Sequence, residues 1–158
     1  MRARELMTQP VVTVRRETSL AEVAKIMVDR QIACVPVVDQ DSKLRGIVTQ
    51  TDFAANERAT PFSMEDLARV SSGLPPKEMI ERVREGARAT TAQEIMITEV
   101  ITGREDTPVE AIAGQMLRYD IDHIPIVRDG VPVGIVSRHD FLRMVAGQAE
   151  PTGAVQVA

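Results

Sequence analysis

Several residue types are scarce in this sequence of 158 residues, and each scarcity excludes a class of protein. Cys34 is its only cysteine, so the chain can form neither an intramolecular disulfide nor a C-x-x-C metal or redox motif. No tryptophan, one tyrosine and three phenylalanines leave few rings for stacking on bases, and the net charge of -4 indicates no basic face. We therefore expect no nucleic-acid partner.

Long apolar runs are also missing. No run approaches the roughly 18 residues that a membrane-spanning helix requires. The first five residues, MRARE, lack the apolar stretch of a signal peptide. We expect no membrane partner and a cytoplasmic, reducing location, which suits a single free cysteine.

The sequence lacks the motifs of common enzyme active sites. It contains no G-x-x-x-x-G-K-[ST] phosphate loop, no G-x-G-x-x-G and no G-x-S-x-G around Ser137. The two histidines, His123 and His139, lie 16 residues apart with no cysteine nearby, which makes a poor zinc site. We predict that the chain is not an enzyme, with no catalytic residue, no catalytic cofactor and no metal centre.

What the sequence does contain is an internal repeat. The segment GIVSRHDF at 134–141 repeats the segment GIVTQTDF at 46–53. Upstream, an offset of 89 residues aligns Met27 with Met116 and Pro36 with Pro125, and the offset becomes 88 after one residue is lost in the following turn. Two matched units therefore flank a middle segment that is not repeated.

The pattern within each unit predicts the order β-α-β-β-α. Periodic apolar residues follow a predicted helix N-cap, which is Thr18 or Ser19 in the first unit and Thr107 in the second. Pro36 removes a backbone donor, so we expect it at a sheet edge or at the start of a strand. Asp52 and its counterpart open the last helix of each unit.

Composition and periodicity divide the chain into four segments. They are a first repeat (1–58), a helical connector (59–90), a second repeat (91–146) and a tail (147–158). The connector is predicted to hold helices at 63–70 and 76–87. The tail has little periodicity, and we expect it to be disordered.

Two such units, each with a hydrophobic-Pro-hydrophobic strand and a G-h-h-[ST]-x-x-D ending, resemble a tandem pair of CBS domains. The resemblance covers nearly everything but the middle and the tail. It implies an α/β (α+β) fold in which a pseudo-twofold axis relates the repeats and two clefts open between them. In that family the clefts commonly bind adenosine compounds, so the resemblance implies a regulatory module that binds AMP, ADP, ATP or S-adenosylmethionine. It also implies a homodimer.

By this resemblance, each cleft takes its base-binding strand from one repeat and its ribose-binding aspartate from the other. Cleft one would combine Thr13, Cys34, Val35, Pro36, Ser137, Arg138, His139 and Asp140. Cleft two would combine Thr102, His123, Ile124, Pro125, Thr49, Thr51 and Asp52. A carboxylate at a helix start can accept hydrogen bonds from ribose hydroxyls, and the hydroxyls of Thr49 and Ser137 suit phosphate oxygens.

The two expected clefts differ in charge. Cleft one has Arg138 and His139 near the expected phosphates, whereas cleft two offers the neutral Gln50 and Thr51, with His123 as its one candidate cation. We therefore expect a charged nucleotide to prefer cleft one.

Other interpretations stay open. Asp52 and Asp140 could be helix caps only, and Cys34 could be a small buried hydrophobe or a redox sensor. The whole chain could be a non-catalytic interaction module with vestigial clefts, whose helical middle binds a target protein. A third hypothesis is that the acidic second repeat, which includes Asp120 and Asp122, senses a divalent metal.

Overall fold

The computed structural model describes residues 1–55, Gly73 and residues 77–148, which form seven helices and five strands. In chain order these are α1 (Ala3–Leu6), β1 (Val14–Arg15), α2 (Leu20–Arg30), β2 (Cys34–Val38), β3 (Leu44–Thr49), α3 (Gln50–Ala55), α4 (Lys77–Ala89), α5 (Ala92–Ile95), α6 (Val109–Tyr119), β4 (His123–Arg128), β5 (Val131–Ser137) and α7 (Arg138–Val145). The predicted helix at 63–70 and residues 149–158 of the predicted tail lie outside the described residues.

The mixed α/β fold class is confirmed, and the predicted β-α-β-β-α order is complete in the first repeat. In the first repeat the strands form one sheet in the order β1-β2-β3, with β2 parallel to β1 and antiparallel to β3. In the second repeat β4 and β5 form an antiparallel pair. The strand expected at the start of this repeat is reduced to one bridge between Gly103 and Ile126.

Of the predicted helix caps, one of the two alternatives in the first repeat is observed and the one in the second repeat is wrong. Ser19, rather than Thr18, is the N-cap of α2, and its hydroxyl accepts a hydrogen bond from the N–H of Glu22 at 3.2 Å. The predicted cap Thr107 is wrong, since Pro108 holds that position before α6. The threonine hydroxyl instead accepts from the N–H of Arg104 at 2.9 Å, which stabilises the preceding turn.

Pro36 lies in the middle strand of its sheet, so the expectation of an edge position or a strand start is wrong. The missing N–H is tolerated because β1 is very short. It pairs only with Val37 and Val38 of β2, and Pro36 lies beyond its end.

The segment before each repeat packs on the core of the other repeat. Ala3, Leu6 and Met7 of the first segment join the core formed by the second repeat around α6, β4 and β5. Ala92 and Ile95 of α5 join the core of the first repeat around α2, β2 and β3. The two repeats therefore exchange their leading segments, and each core is completed by its partner.

Matching hydrogen bonds fix this exchange. The N–H of Ala3 donates to the carbonyl of Thr107, and the N–H of Ala92 donates to the carbonyl of Thr18, both at 2.8 Å. Further along the first segment, the backbones of Thr8 and Ile135 form two hydrogen bonds across the repeats, at 2.9 and 3.2 Å. Ile97 and Ile47 do the same at 3.0 Å in each direction.

The glycine of each repeated GIV segment is required by this exchange. A Cβ on Gly134 would lie 2.5 Å from the sulfur of Met7, and a Cβ on Gly46 would lie 2.5 Å from the sulfur of Met96. The environment of Gly46 is the stricter one, because the same Cβ would also lie 2.9 Å from the backbone oxygen of Ile97. The repeated glycine is therefore a close-approach site for a methionine from the opposite segment.

The connector ends in α4, which packs against α2. Its predicted helix at 76–87 agrees with the observed bounds to within two residues. Of its apolar residues, Met79 is buried and Ile80 is exposed. Thr91 then opens α5 with a capping box, in which its N–H donates to Glu94 at 2.7 Å.

Replacing Gly46 with alanine should lower the free energy of unfolding by about 1–3 kcal/mol, since the added methyl overpacks the contact with Met96 and Ile97. Gly134→Ala should cost less, because only the flexible side chain of Met7 must move. The matched control is Gly114→Ala on α6, where nothing lies within 4 Å of the new methyl. That change should raise stability by roughly 0.5–1 kcal/mol. Urea unfolding measures all three, and equal effects at Gly46 and Gly114 would contradict the packing argument.

Candidate functional site

One cleft of about 440 Å³ opens between the two repeats. Its walls come from the end of β3 and the start of α3, from the segment that follows α5, and from the turn between α6 and β4 with the start of α7. The lining residues are Ala33, Ile47, Thr49, Gln50, Thr51, Asp52, Ile97, Glu99, Val100, Ile101, Asp120, Ile121, Asp122, His123, Ser137, Arg138 and His139. The cleft thus combines an apolar side of isoleucines and valine with a polar rim.

The two carboxylate oxygens of Asp52 have different surroundings in this cleft. Its Oδ2 accepts hydrogen bonds from the N–H of Thr49 at 2.7 Å and from the hydroxyl of Thr49 at 3.1 Å, which caps α3. Its Oδ1 has no hydrogen-bond partner among the described residues, and the side chain is half-buried at the cleft wall. The capping interpretation and a ligand-binding role are therefore compatible, because each uses a different oxygen.

Asp140, the counterpart of Asp52, is placed differently. It is buried, and its Oδ2 accepts from the N–H and hydroxyl of Ser137 at 2.7 and 2.9 Å. Its Oδ1 lies 3.6 Å from the Nη1 of Arg143. Asp140 is not on the wall of the cleft, so in this conformation it acts as the cap of α7.

Arg138 lies at the rim of the cleft between two aspartates. Its Nε is 2.9 Å from Oδ1 of Asp122, and its Nη2 is 3.2 Å from Oδ1 of Asp120. The backbone N–H of Arg138 also donates to the carbonyl of Asp122 at 3.0 Å. The guanidinium is therefore already paired before any ligand arrives.

Cys34 lines a second cavity on the other side of the pseudo-twofold axis, with a volume of only about 10 Å³. The other lining residues are Thr8, Pro10, Val11, Val12, Ile32 and Ile135. The cavity has room for at most about one water molecule. Burial raises the pKa of the Cys34 thiol well above its usual range. The buried-hydrophobe interpretation of Cys34 is favoured over a redox sensor, because a reactive cysteine needs an accessible thiolate.

The predicted site residues are regrouped by the fold. Thr49, Thr51, Asp52 and His123, which were assigned to cleft two, line the open cleft as a group. Ser137, Arg138 and His139, which were assigned to cleft one, line the same open cleft and do not line the cavity of Cys34. The remaining predicted residues, which are Thr13, Val35, Pro36, Asp140, Thr102, Ile124 and Pro125, line neither of these two cavities.

Several wall residues were missed by sequence reasoning. Ile97, Glu99, Val100 and Ile101 reach the cleft only because the segment after α5 crosses to the first repeat. Asp120 and Asp122 were treated as surface or metal-binding residues. Their position at the end of α6 could have identified them as wall residues. The equivalent end of α2 leads directly into the strand that was predicted to line cleft one.

His123 is the candidate cation of the cleft, and its environment disfavours the charge. Burial lowers the pKa of His123 below its usual range, although Asp122 and Asp140 oppose this effect. Its backbone pairs with Ser137 at the end of the β4-β5 ladder, which places the ring in the cleft wall. The neutral imidazole is thus the form expected at neutral pH.

Two further hypotheses concern metals and membranes. Among the described residues, no group of three or more histidine, cysteine, aspartate or glutamate side chains is arranged to hold a metal ion. The helices of the described part of the chain include none that is long and apolar enough to cross a membrane.

The family model of the CBS domain matches residues 3–57 and again residues 92–147. These two regions comprise the repeated units and leave out the middle segment. The chain therefore belongs to the CBS domain family and carries a tandem pair of these domains. Such pairs are regulatory modules and are not catalytic.

Solved structures agree with this assignment. The chain is similar to the CBS domain of a CBS domain-containing membrane protein from Sphaerobacter thermophilus, with 42% identity, a TM-score of 0.75, and 90% of this chain and 86% of that chain covered. It is also similar to the CBS domain pair of protein MJ0100, solved in complex with 5′-methylthioadenosine and S-adenosyl-L-methionine. That match has 30% identity, a TM-score of 0.69, and 94% of this chain and 98% of the other covered.

Curated relatives include an L-aspartate semialdehyde sulfurtransferase of Methanocaldococcus jannaschii, which is 30% identical over 146 residues. The match covers 92% of this chain, but the chain spans only 23% of the length of that relative. The similarity therefore concerns the CBS pair, and the name of the longer enzyme describes the whole of that protein.

Replacing His123 with glutamine should remove a pH-dependent part of the stability. Because folding lowers the pKa of His123, the stabilisation by the neutral ring is complete above the unfolded value of 6.5 and is lost as the pH falls through it toward the folded pKa. The difference in unfolding free energy between the wild type and His123→Gln should therefore shrink from pH 8 to pH 5, as measured by urea unfolding. His139→Gln is the control, and parallel curves for the wild type and His123→Gln would contradict the expectation.

Proposed function

We propose that this CBS pair is a regulatory module that binds an adenosine-containing small molecule in the 440 Å³ cleft. The observation that carries the proposal is that Asp52, whose Oδ1 has no hydrogen-bond partner among the described residues, lines a cleft large enough for a nucleoside. The ligand would be regulatory, since pairs of CBS domains are regulatory modules.

The walls of the cleft suit the parts of an adenosine. Ile47, Ile97, Val100, Ile101 and Ile121 supply apolar surface for a purine ring. The second carboxylate oxygen of Asp52 can accept hydrogen bonds from ribose hydroxyls, while the first holds the start of α3 in place. Such charge-assisted hydrogen bonds contribute about 1.5–3 kcal/mol each.

A relative supports the class of ligand. The CBS pair of MJ0100, which is 30% identical over nearly the whole chain, was solved with 5′-methylthioadenosine and S-adenosyl-L-methionine. We infer a ligand of the same class here, in the cleft of Asp52 rather than in the cavity of Cys34. This reverses the expected preference for cleft one, because a cavity of about 10 Å³ has no room for a nucleoside.

Asp52→Asn should weaken the binding of 5′-methylthioadenosine about ten- to a hundredfold, which corresponds to the loss of one charge-assisted contact. The amide oxygen can still cap α3, so the fold should survive. Isothermal titration calorimetry measures the change, and Asp140→Asn, which alters the equivalent cap away from the cleft, should shift the affinity by less than about threefold.

The opposite outcome would assign the ligand to the cavity of Cys34 instead. If Asp140→Asn abolished binding and Asp52→Asn did not, the ligand would bind at the Cys34 side. If AMP, ATP, 5′-methylthioadenosine and S-adenosylmethionine all gave no heat with the wild type, the interaction module with vestigial clefts would be the better hypothesis.

We also propose that the chain forms a homodimer through α7. Leu142 and Val145 on this helix are 67% and 83% exposed, which is unusual for neighbouring large aliphatic side chains on one short helix. They follow the repeated aspartate motif, where the family resemblance places the contacts of a disc of four CBS units. Burial of each side chain against a second copy would contribute about 1.5–3 kcal/mol.

The double variant Leu142→Glu, Val145→Glu should raise the dimer dissociation constant at least about tenfold, because charges replace the apolar contact. Sedimentation equilibrium measures the change. Leu117→Glu on α6 is the control, since this leucine is 79% exposed but lies on another helix. A monomeric wild type, or an equal effect of the control, would contradict an α7 interface.

A further inference from the structure

The charges along the open cleft are unusual for a site that holds phosphates. Four carboxylates line it, those of Asp52, Glu99, Asp120 and Asp122. Among the described lining residues Arg138 is the one guanidinium, and no lysine is present. Whichever form the two histidines take, the formal charge of the cleft is therefore negative, which repels an anionic ligand.

The single guanidinium is already engaged. Arg138 lies between Asp120 and Asp122, at 3.2 and 2.9 Å from their carboxylate oxygens. These pairs are exposed and individually weak. A phosphate that approached Arg138 would nevertheless compete with two carboxylates and would face their repulsion as well.

The first repeat shows that the fold does not need these charges. The positions equivalent to Asp120, Asp122 and Arg138 are occupied by Gln31, Ala33 and Gln50. At these positions the backbone has the same conformation and the same hydrogen bond in both copies. Gln31 and Asp120 end their helices with φ of 54° and 50°. The N–H of Gln50 donates to the carbonyl of Ala33 at 3.0 Å, as the N–H of Arg138 does to Asp122.

We propose that Asp120 and Asp122 make the cleft selective for adenosine compounds whose 5′ substituent carries no negative charge. The inference rests on the proposed function, because it names the ligand class of the same cleft. A neutral thioether or a cationic sulfonium group would be accepted, while a 5′-phosphate would meet paired carboxylates and an occupied arginine. The lowered pKa of His123 supports this preference, since the neutral ring offers a phosphate no charge.

Salt dependence tests the proposal on the wild-type protein. AMP, 5′-methylthioadenosine and S-adenosylmethionine share the adenosine and differ in charge. At low salt the last two should bind at least about tenfold more tightly than AMP. Raising the NaCl concentration should strengthen AMP binding, weaken S-adenosylmethionine binding and leave 5′-methylthioadenosine unchanged, because salt screens repulsion and attraction alike.

Exchange of the charged residues for those of the first repeat tests which groups are responsible. In Asp120→Gln, Asp122→Ala the ratio of AMP to 5′-methylthioadenosine affinity should rise at least about tenfold, since Arg138 becomes available to the phosphate. Adding Arg138→Gln should remove most of that gain. The control is Asp106→Asn, Glu110→Gln, which changes the net charge equally on surface residues outside the cleft and should leave the ratio unchanged.

The outcomes separate the two proposals. If AMP binds the wild type as tightly as 5′-methylthioadenosine, or if the exchange leaves the ratio unchanged, the selectivity is overturned while adenosine binding stands. If the surface control shifts the ratio as much as the exchange, the effect is one of net charge and the assignment to Asp120 and Asp122 is wrong. If no adenosine compound binds, the proposed function fails and this inference fails with it.

Discussion

The exchange of leading segments between the two repeats is the constraint on which the rest of the structure depends. Each repeat is near the size at which a domain on its own is only marginally stable. Each completes its core with a short helix from the other side, and each GIV glycine admits a methionine from that helix, Met7 on Gly134 and Met96 on Gly46. The repeats are therefore mutually dependent folding units, and their relative position follows from backbone pairs on both sides of the axis.

The same exchange builds the cleft. Ile97 pairs with Ile47 through two backbone hydrogen bonds, and both side chains line the cleft. The chain then continues through Val100 and Ile101 along the wall, while upstream it leads back through α5 to the connector helix α4. A ligand in the cleft would thus contact a segment that joins both repeats to the connector.

The two clefts of this duplicated fold are equivalent in their backbone, but their side chains give them different volumes and charges. On one side residues 8–12 pack closely with Cys34 and Ile135, and about 10 Å³ is left. On the other side the equivalent segment, residues 97–101, forms one wall of a cleft of about 440 Å³, with acidic residues that the first repeat lacks. The divergence of the copies has therefore concentrated space and charge in one cleft.

Much of the local structure was determined by the sequence itself. The register of the repeat, the aspartates that cap α3 and α7, and the tight turn at Asp129 and Gly130 depend on residues within a few positions of one another. The tertiary structure decided which predicted site residues meet, since the grouping of Ser137, Arg138 and His139 with Asp52 requires contacts between distant segments. It also decided which cleft is open, because cavity volume depends on side-chain packing across the axis, and no pattern within either copy encodes that packing.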